Sequence, residues 1–156
     1  MKNSINQKWE MICKSMNEFD IEYHKLANLY NLSDSSFWIL YDLYENEDGC
    51  TQKEFYTEWS LNKQTINSSV KYLINKGYVA LQCLDDNKKS KKLRLTEKGR
   101  EMSKNTVGKV MELEEKAFGN IDENEMNMVI NFFEKQVESF KNQVDEIIKN
   151  EEDKNK

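Results

Sequence analysis

The chain has 156 residues, 38% hydrophobic and 33% charged, with a formal net charge of −5, no proline and five glycines. That length fits one domain, or one core with long flanking helices, and the composition favours long helices joined by few loops. Seventeen aromatics exclude a disordered chain; Met1 to Asn6 lacks the apolar run of a signal peptide, and no stretch reaches the ~20 apolar residues of a membrane span.

Ile5 to Tyr30 reads as one long helix, since Trp9, Ile12, Cys13, Met16, Phe19, Tyr23, Leu26, Ala27 and Tyr30 recur at threes and fours. Ser33 or Asp34 can cap a second helix through Tyr44, whose apolar positions wrap most of its circumference, so it is expected to be buried on several sides. After the turn Asn46-Glu47-Asp48-Gly49, Thr51 to Glu54 matches a capping box and starts a short helix to about Glu58. Trp59-Ser60-Leu61 is a turn, Asn62 caps the next helix to about Lys76, and Gly77 stops it. Tyr78 to Leu84 and Lys91 to Leu95 read as two strands joined by the turn Asp85 to Ser90. Thr96 then caps a helix expected to run unbroken to Phe118. Asp122 opens a last one to about Lys149, with an apolar seam of Met126, Val129, Ile130, Phe133, Val137, Phe140 and Val144 close to a heptad.

This order is mainly α with a small β-hairpin wing: a winged helix-turn-helix domain flanked by long N- and C-terminal helices. The expected division is an N-terminal dimerisation helix at 1–31, a winged helix-turn-helix at 32–100, C-terminal dimerisation helices at 101–150 and a disordered tail at 151–156. The terminal helices carry more apolar stripe than one small core can cover.

The charge pattern points the same way. From Thr51 to Arg100 there are eleven Lys/Arg and five Asp/Glu, a local +6 within an acidic chain, and no acid stands between Leu61 and Leu84. A single basic island on an acidic protein offers one face to a polyanion. The helix from Asn62 presents Lys63, Gln64, Thr65, Asn67, Ser68 and Lys71: long donors, amides able to pair with adenine, and small hydroxyls. Thr51 and Gln52 at the preceding helix start, and Lys88, Lys89 and Lys91 in the hairpin, are the other DNA-contact candidates. Cations at a ribbon tip suit phosphates or a minor groove, though lysine also blunts an edge strand. Alternation turns one of Lys91 and Lys92 away from DNA.

The run from Leu32-Ser33 to Gly99-Arg100 resembles the MarR family of bacterial transcriptional regulators. The resemblance is carried by Thr51-Gln52-Lys53-Glu54-Phe55, Leu61-Asn62-Lys63-Gln64-Thr65-Ile66 and Leu73-Ile74-Asn75-Lys76-Gly77-Tyr78-Val79. Leu93-Arg94-Leu95-Thr96-Glu97-Lys98-Gly99-Arg100 is its most distinctive piece. The wing departs from the family, whose Asp-Arg-Arg is replaced by Asn87, Lys88 and Lys89; lysine keeps the charge but loses the planar fork. This wing is expected to position the protein on phosphate more than to read sequence. The resemblance implies an obligate homodimer built from the terminal regions, on a pseudo-palindromic double-stranded DNA site with half-sites ~10 base pairs apart.

It also implies release by a small aromatic or lipophilic effector, or by an oxidant. Phe19, Tyr23, Tyr30, Phe37, Trp38 and Tyr41 are the candidate pocket lining, with core packing the plainer account of aromatics at helical spacing. Cys13 is the redox candidate, expected instead to be a buried inert thiol because no His or Arg stands near it; Cys50 and Cys83 read as structural. Three widely spaced cysteines fit a reducing cytoplasm. His24 is the only histidine, and no Cys-x-x-Cys, phosphate loop or nucleophile elbow is present. An enzyme, a metal site and a cofactor are therefore not expected. The leading expectation is a dimeric, ligand- or stress-responsive repressor. The alternatives are a winged-helix protein-interaction module without DNA binding and a thiol-based redox-sensing repressor.

Overall fold

Caps and left-handed residues set the element boundaries. The computed structural model describes residues 4–58, 62–83 and 91–154. Its elements are α1 (Ser4–Leu29), α2 (Asp34–Glu45), α3 (Gln52–Glu58), α4 (Lys63–Asn75), β1 (Val79–Cys83), β2 (Lys91–Leu95), α5 (Glu97–Asn105), α6 (Val107–Phe118) and α7 (Glu123–Lys154). α1 ends at Asn31, which takes φ 57°, a region asparagine tolerates better than most side chains. There Leu32 N–H donates to Ala27 O and Asn31 N–H to Asn28 O, each at 3.0 Å, satisfying carbonyls the helix leaves open. Gly77, at φ 73°, closes α4 in the same way through Tyr78 N–H to Leu73 O at 3.0 Å. Ser33 caps α2 by accepting from Ser36 N–H at 3.2 Å, and Asn62 caps α4 by accepting from Thr65 N–H at 2.8 Å.

α2 is the hub of the core. Phe37, Ile39, Leu40 and Leu43 are buried on it, and it packs on α1, α4, α5 and β2. Its polar contact with α4 is also buried: Ser35 Oγ and Ser69 Oγ lie 2.6 Å apart, so the two hydroxyls satisfy each other where both are closed to water. Ile66, Val70 and Leu73 of α4, Phe55 of α3, Val79 of β1, Leu93 and Leu95 of β2, Val107 and Val110 of α6, and Ala27 and Leu32 complete the core. β1 and β2 are antiparallel, in register from Val79↔Leu95 to Cys83↔Lys91. Cys50 adds an isolated antiparallel bridge to β2: its N–H donates to Leu93 O at 3.2 Å and its O accepts from Leu93 N–H at 2.8 Å. Gly49 makes this possible, because at φ 73° it lies against the Leu93 carbonyl where a Cβ would collide.

Three expectations change. The helix from Thr96 does not run unbroken to Phe118. It breaks at Thr106 (φ −122°, ψ −78°), whose hydroxyl donates back to Met102 O at 2.9 Å, an internal bond that competes with the helical ladder. α7 does not end at Lys149 and is still helical where a disordered tail was expected, reaching Lys154. Its last turns are Glu, Asp, Lys and Asn with no breaker, and Lys154 Nζ donates to Glu151 Oε1 at 2.7 Å. Cys13 is exposed rather than buried, because only Ala27 of α1 enters the core.

The chain divides into two compact units, Met1–Leu113 and Glu114–Lys156. The core belongs to the first. In the second, α7 buries no residue, and Met126, Val129, Ile130, Val137, Phe140 and Ile147 are all exposed.

Candidate nucleic-acid interface

The start of α3 holds a complete capping box. Glu54 N–H donates to Thr51 Oγ1 at 3.3 Å, and Thr51 N–H donates to Glu54 Oε2. That backbone N–H holds the Glu54 carboxyl below the usual glutamate value; slight burial opposes it, and the Thr51 hydroxyl and the Lys92 ammonium reinforce it. Lys92 is half-buried and acts toward Glu54, whereas Lys91 is exposed. Thr51 and Gln52 are both half-buried at this corner. The Tyr56 hydroxyl reaches Asn67 Oδ1 at 3.2 Å and Gln52 Oε1 at 3.4 Å, so its one proton tethers α3 to α4 or to its own first turn.

On α4 the burial pattern separates two sides. Ile66, Ser69, Val70 and Leu73 face the core, while Lys63, Gln64, Ser68 and Lys71 are exposed. The exposed four lie at helical spacing on one side. Thr65 and Asn67 are half-buried and partly committed: the Thr65 hydroxyl donates to Asn62 Oδ1 at 3.1 Å, and Asn67 Oδ1 accepts from Tyr56. Ser68 Oγ donates to Gln64 O at 2.9 Å. Bidentate pairing with a base needs an amide's oxygen and nitrogen together; Gln64 and Asn75 are the exposed amides of this helix, and Gln64 shares the side of Lys63, Ser68 and Lys71. Lys88 and Lys89 lie outside the described residues.

The wing returns to α4 through one short segment. Thr96 Oγ1 accepts from Gly99 N–H at 3.0 Å, capping α5, and donates to Gly77 O at 2.6 Å. Lys98 Nζ donates to Lys76 O at 2.8 Å and lies 5.0 Å from the Tyr78 ring centroid. Gly99 rests on the Tyr78 carbonyl, where a Cβ would overlap the oxygen. Thr96, Lys98 and Gly99 together fasten the exit of α4 to the exit of β2. At the wing's other side Arg94 Nη2 approaches Asp48 Oδ1 at 3.7 Å.

A second feature lies within the same unit, between α1 and α2. A cleft of about 230 Å³ is lined by Asp20, Tyr23, His24, Ala27, Asp34, Phe37 and Trp38. Of the six aromatics expected to line a pocket, Tyr23, Phe37 and Trp38 meet there. Tyr30 and Tyr41 pack against the core without lining it, and Phe19 is exposed. Sequence reading missed the polar lining. Asp20, His24 and Ala27 are spaced by four and three along α1, one face of a helix, but Asp34 reaches them only through tertiary packing. Asp34 Oδ1 and Oδ2 stand 2.8 and 3.0 Å from His24 Nδ1. Among the described residues no His/Cys/Asp/Glu group is arranged to hold a metal ion, and no helix is long and apolar enough to cross a membrane.

Residues 30–88 match the model of the MarR family. No curated protein matches the chain. Among solved structures, a MarR family regulator from Neisseria meningitidis is 22% identical, with a TM-score of 0.75 over 89% of this chain and 97% of that one. CouR from Rhodococcus jostii RHA1, bound to p-coumaroyl-CoA, is 17% identical, with a TM-score of 0.68 over 90% of this chain and 95% of that one. A MarR transcriptional regulator from Methanosarcina mazei Go1 is 23% identical, with a TM-score of 0.61 over 83% and 96%. At these identities the likeness is one of fold: a winged helix with long N- and C-terminal helices.

Proposed function

Because the chain belongs to the MarR family of transcriptional regulators, we propose that it is a cytoplasmic homodimeric repressor that reads double-stranded DNA with α4. The observation that carries this reading is the outward side of α4: Lys63, Gln64, Ser68 and Lys71 are exposed on a capped helix whose opposite side is anchored in the core. Lys63 and Lys71 supply phosphate contacts, and Gln64 supplies base readout. Thr65 and Asn67 support the helix as much as they face DNA, since their side-chain oxygens already have partners. Lys91, exposed on β2, is a further backbone contact, the sequence adds Lys88 and Lys89 as candidates, and Thr51 and Gln52 stand at the start of α3.

The apolar faces of α1 and α7 support the homodimer. Trp9, Phe19, Val137 and Phe140 are all exposed in the single chain, and each such side chain covered gains about 1.5–3 kcal/mol. A two-fold pair of reading heads calls for a pseudo-palindromic operator with half-sites ~10 base pairs apart. A small aromatic or lipophilic effector in the α1–α2 cleft would favour the dimer geometry that does not fit DNA and so lower operator affinity.

The test is fluorescence anisotropy against the intergenic duplex beside the protein's own gene, at two salt concentrations, with the Gln64→Ala/Lys71→Ala double variant alongside. Tight binding that weakens steeply with salt and is lost in the variant is the expected result. Binding that equals random duplex, or that the variant leaves unchanged, would favour a protein-interaction role for the winged helix.

A further inference from the structure

We propose that the α1–α2 cleft takes a small organic cation, with a quaternary-ammonium or comparable headgroup joined to an apolar body. Its regulatory meaning rests on the repressor reading above; the binding itself does not. The lining combines two carboxylates, Asp20 and Asp34, with aromatic rings set at an angle to one another. The Tyr23 and Trp38 centroids are 4.9 Å apart at 53°, and Phe37 meets Trp38 edge-on at 5.3 Å and 77°. Inclined aromatic faces beside a carboxylate attract a cation whose charge is spread over methyl groups, which loses little hydration on entering. The volume of about 230 Å³ is below the ~300–1,000 Å³ of sites for drug-sized ligands, so the cleft suits a headgroup with part of its body left outside.

The charges around the cleft exclude the opposite sign of ligand. Among the described residues no Lys or Arg lines it. Lys25, one residue from His24 on α1, has its Nζ on Glu22 Oε1 at 2.6 Å. His24 Nδ1 stands 2.8 Å from Asp34 Oδ1, and its Nε2 stands 2.8 Å from Asn28 Nδ2. The Nδ1 contact orients the Asp34 carboxylate at the cleft, and Asp20 adds a second carboxylate. A carboxylate or phosphate ligand would meet two carboxylates, Asp20 and Asp34.

The test is isothermal titration calorimetry on the full chain with three probes of one shape: benzyltrimethylammonium, neutral benzyl alcohol and benzoate. The expected order is the cation at least about tenfold tighter than the alcohol, with benzoate silent. Asp20→Asn and Trp38→Leu should each weaken the cation about tenfold or more, while circular dichroism shows the helices intact. Asp20 is exposed on α1, so its variant keeps the fold even where Trp38→Leu does not. Benzoate binding as tightly as the cation, no binding of any probe, or cation binding that Asp20→Asn leaves unchanged overturns the inference. Operator anisotropy with the same probes separates the two readings. Cation binding in the cleft without release of DNA supports the inference and removes the effector role. Release by an anion without cation binding does the reverse.

Discussion

Thr96 is where the wing, α4 and α5 are joined by one side-chain oxygen, and Thr96→Val removes that oxygen with little change of shape. Two bonds are lost together: the cap accepted from Gly99 N–H at 3.0 Å and the hydrogen bond donated to Gly77 O at 2.6 Å. Loss of an N-cap costs about 1 kcal/mol, and loss of a donor to a partly buried carbonyl costs about 1 kcal/mol more. The backbone bond from Thr96 N–H to Tyr78 O, at 3.0 Å, survives the substitution, so the strand exit keeps its path and the two losses add. The sum, about 2 kcal/mol, corresponds to a melting temperature lower by roughly 4–8 °C for a chain of this size. Thr96→Ser keeps the oxygen and loses only a methyl group, so it should fall within about 1 kcal/mol of the parent. Urea unfolding of the three proteins measures this directly, with an unchanged denaturant slope showing that the folded states are comparable. If valine and serine destabilise equally, the methyl group and not the hydroxyl holds this corner, and the argument from Thr96 Oγ1 is wrong.

Gly99→Ala places a Cβ on the Tyr78 carbonyl oxygen and should cost more than the Thr96 substitution, read as a larger loss of melting temperature; a neutral alanine would show that α5 can slide off β1. Glu54 has its folded-state pKa lowered, so its contribution is fully present above the unfolded glutamate value of about 4.3 and is lost as pH falls through the lower folded value. The stability margin of the parent over Glu54→Gln should therefore shrink below about pH 4, and a margin flat in pH would mean that the capping box does not act through charge. Phe140→Glu on α7, where Phe140 is 71% exposed in the single chain, should convert dimer to monomer in sedimentation; unchanged dimers would place the interface elsewhere. Lys71→Ala should lower operator affinity and flatten the dependence of log K on log salt by about one unit, and an unchanged slope would remove Lys71 from the phosphate contacts.

The order of elements was legible because it is written in local chemistry. Ser33, Thr51, Asn62 and Thr96 are hydroxyl or amide caps, and Gly77 is a stop; all five act within a few residues of themselves. What was not legible depended on contacts distant in sequence. The Cys50–Leu93 bridge joins residues 43 positions apart, and nothing around Cys50 reads as a strand. Thr106 breaks a helix by bonding to Met102 O, a choice that threonine makes in some helices and not in others. At the site, the outward positions of α4 followed from periodicity alone, but the commitments of Thr65 and Asn67 needed the positions of Asn62 and Tyr56. The cleft shows the same division. Its aromatics stood out by type, whereas Asp34 joins His24 across ten residues and a helix reversal, through a contact no spacing rule contains.

The central claim is that α4 reads a two-fold operator. Hydroxyl-radical footprinting on a fragment selected by the full chain from its own genomic DNA tests it most directly. The account predicts two protected half-sites about one helical turn apart, a pattern that Gln64→Ala/Lys71→Ala erases at the same protein concentration. Uniform protection without half-sites, or an identical footprint with the variant, would contradict it.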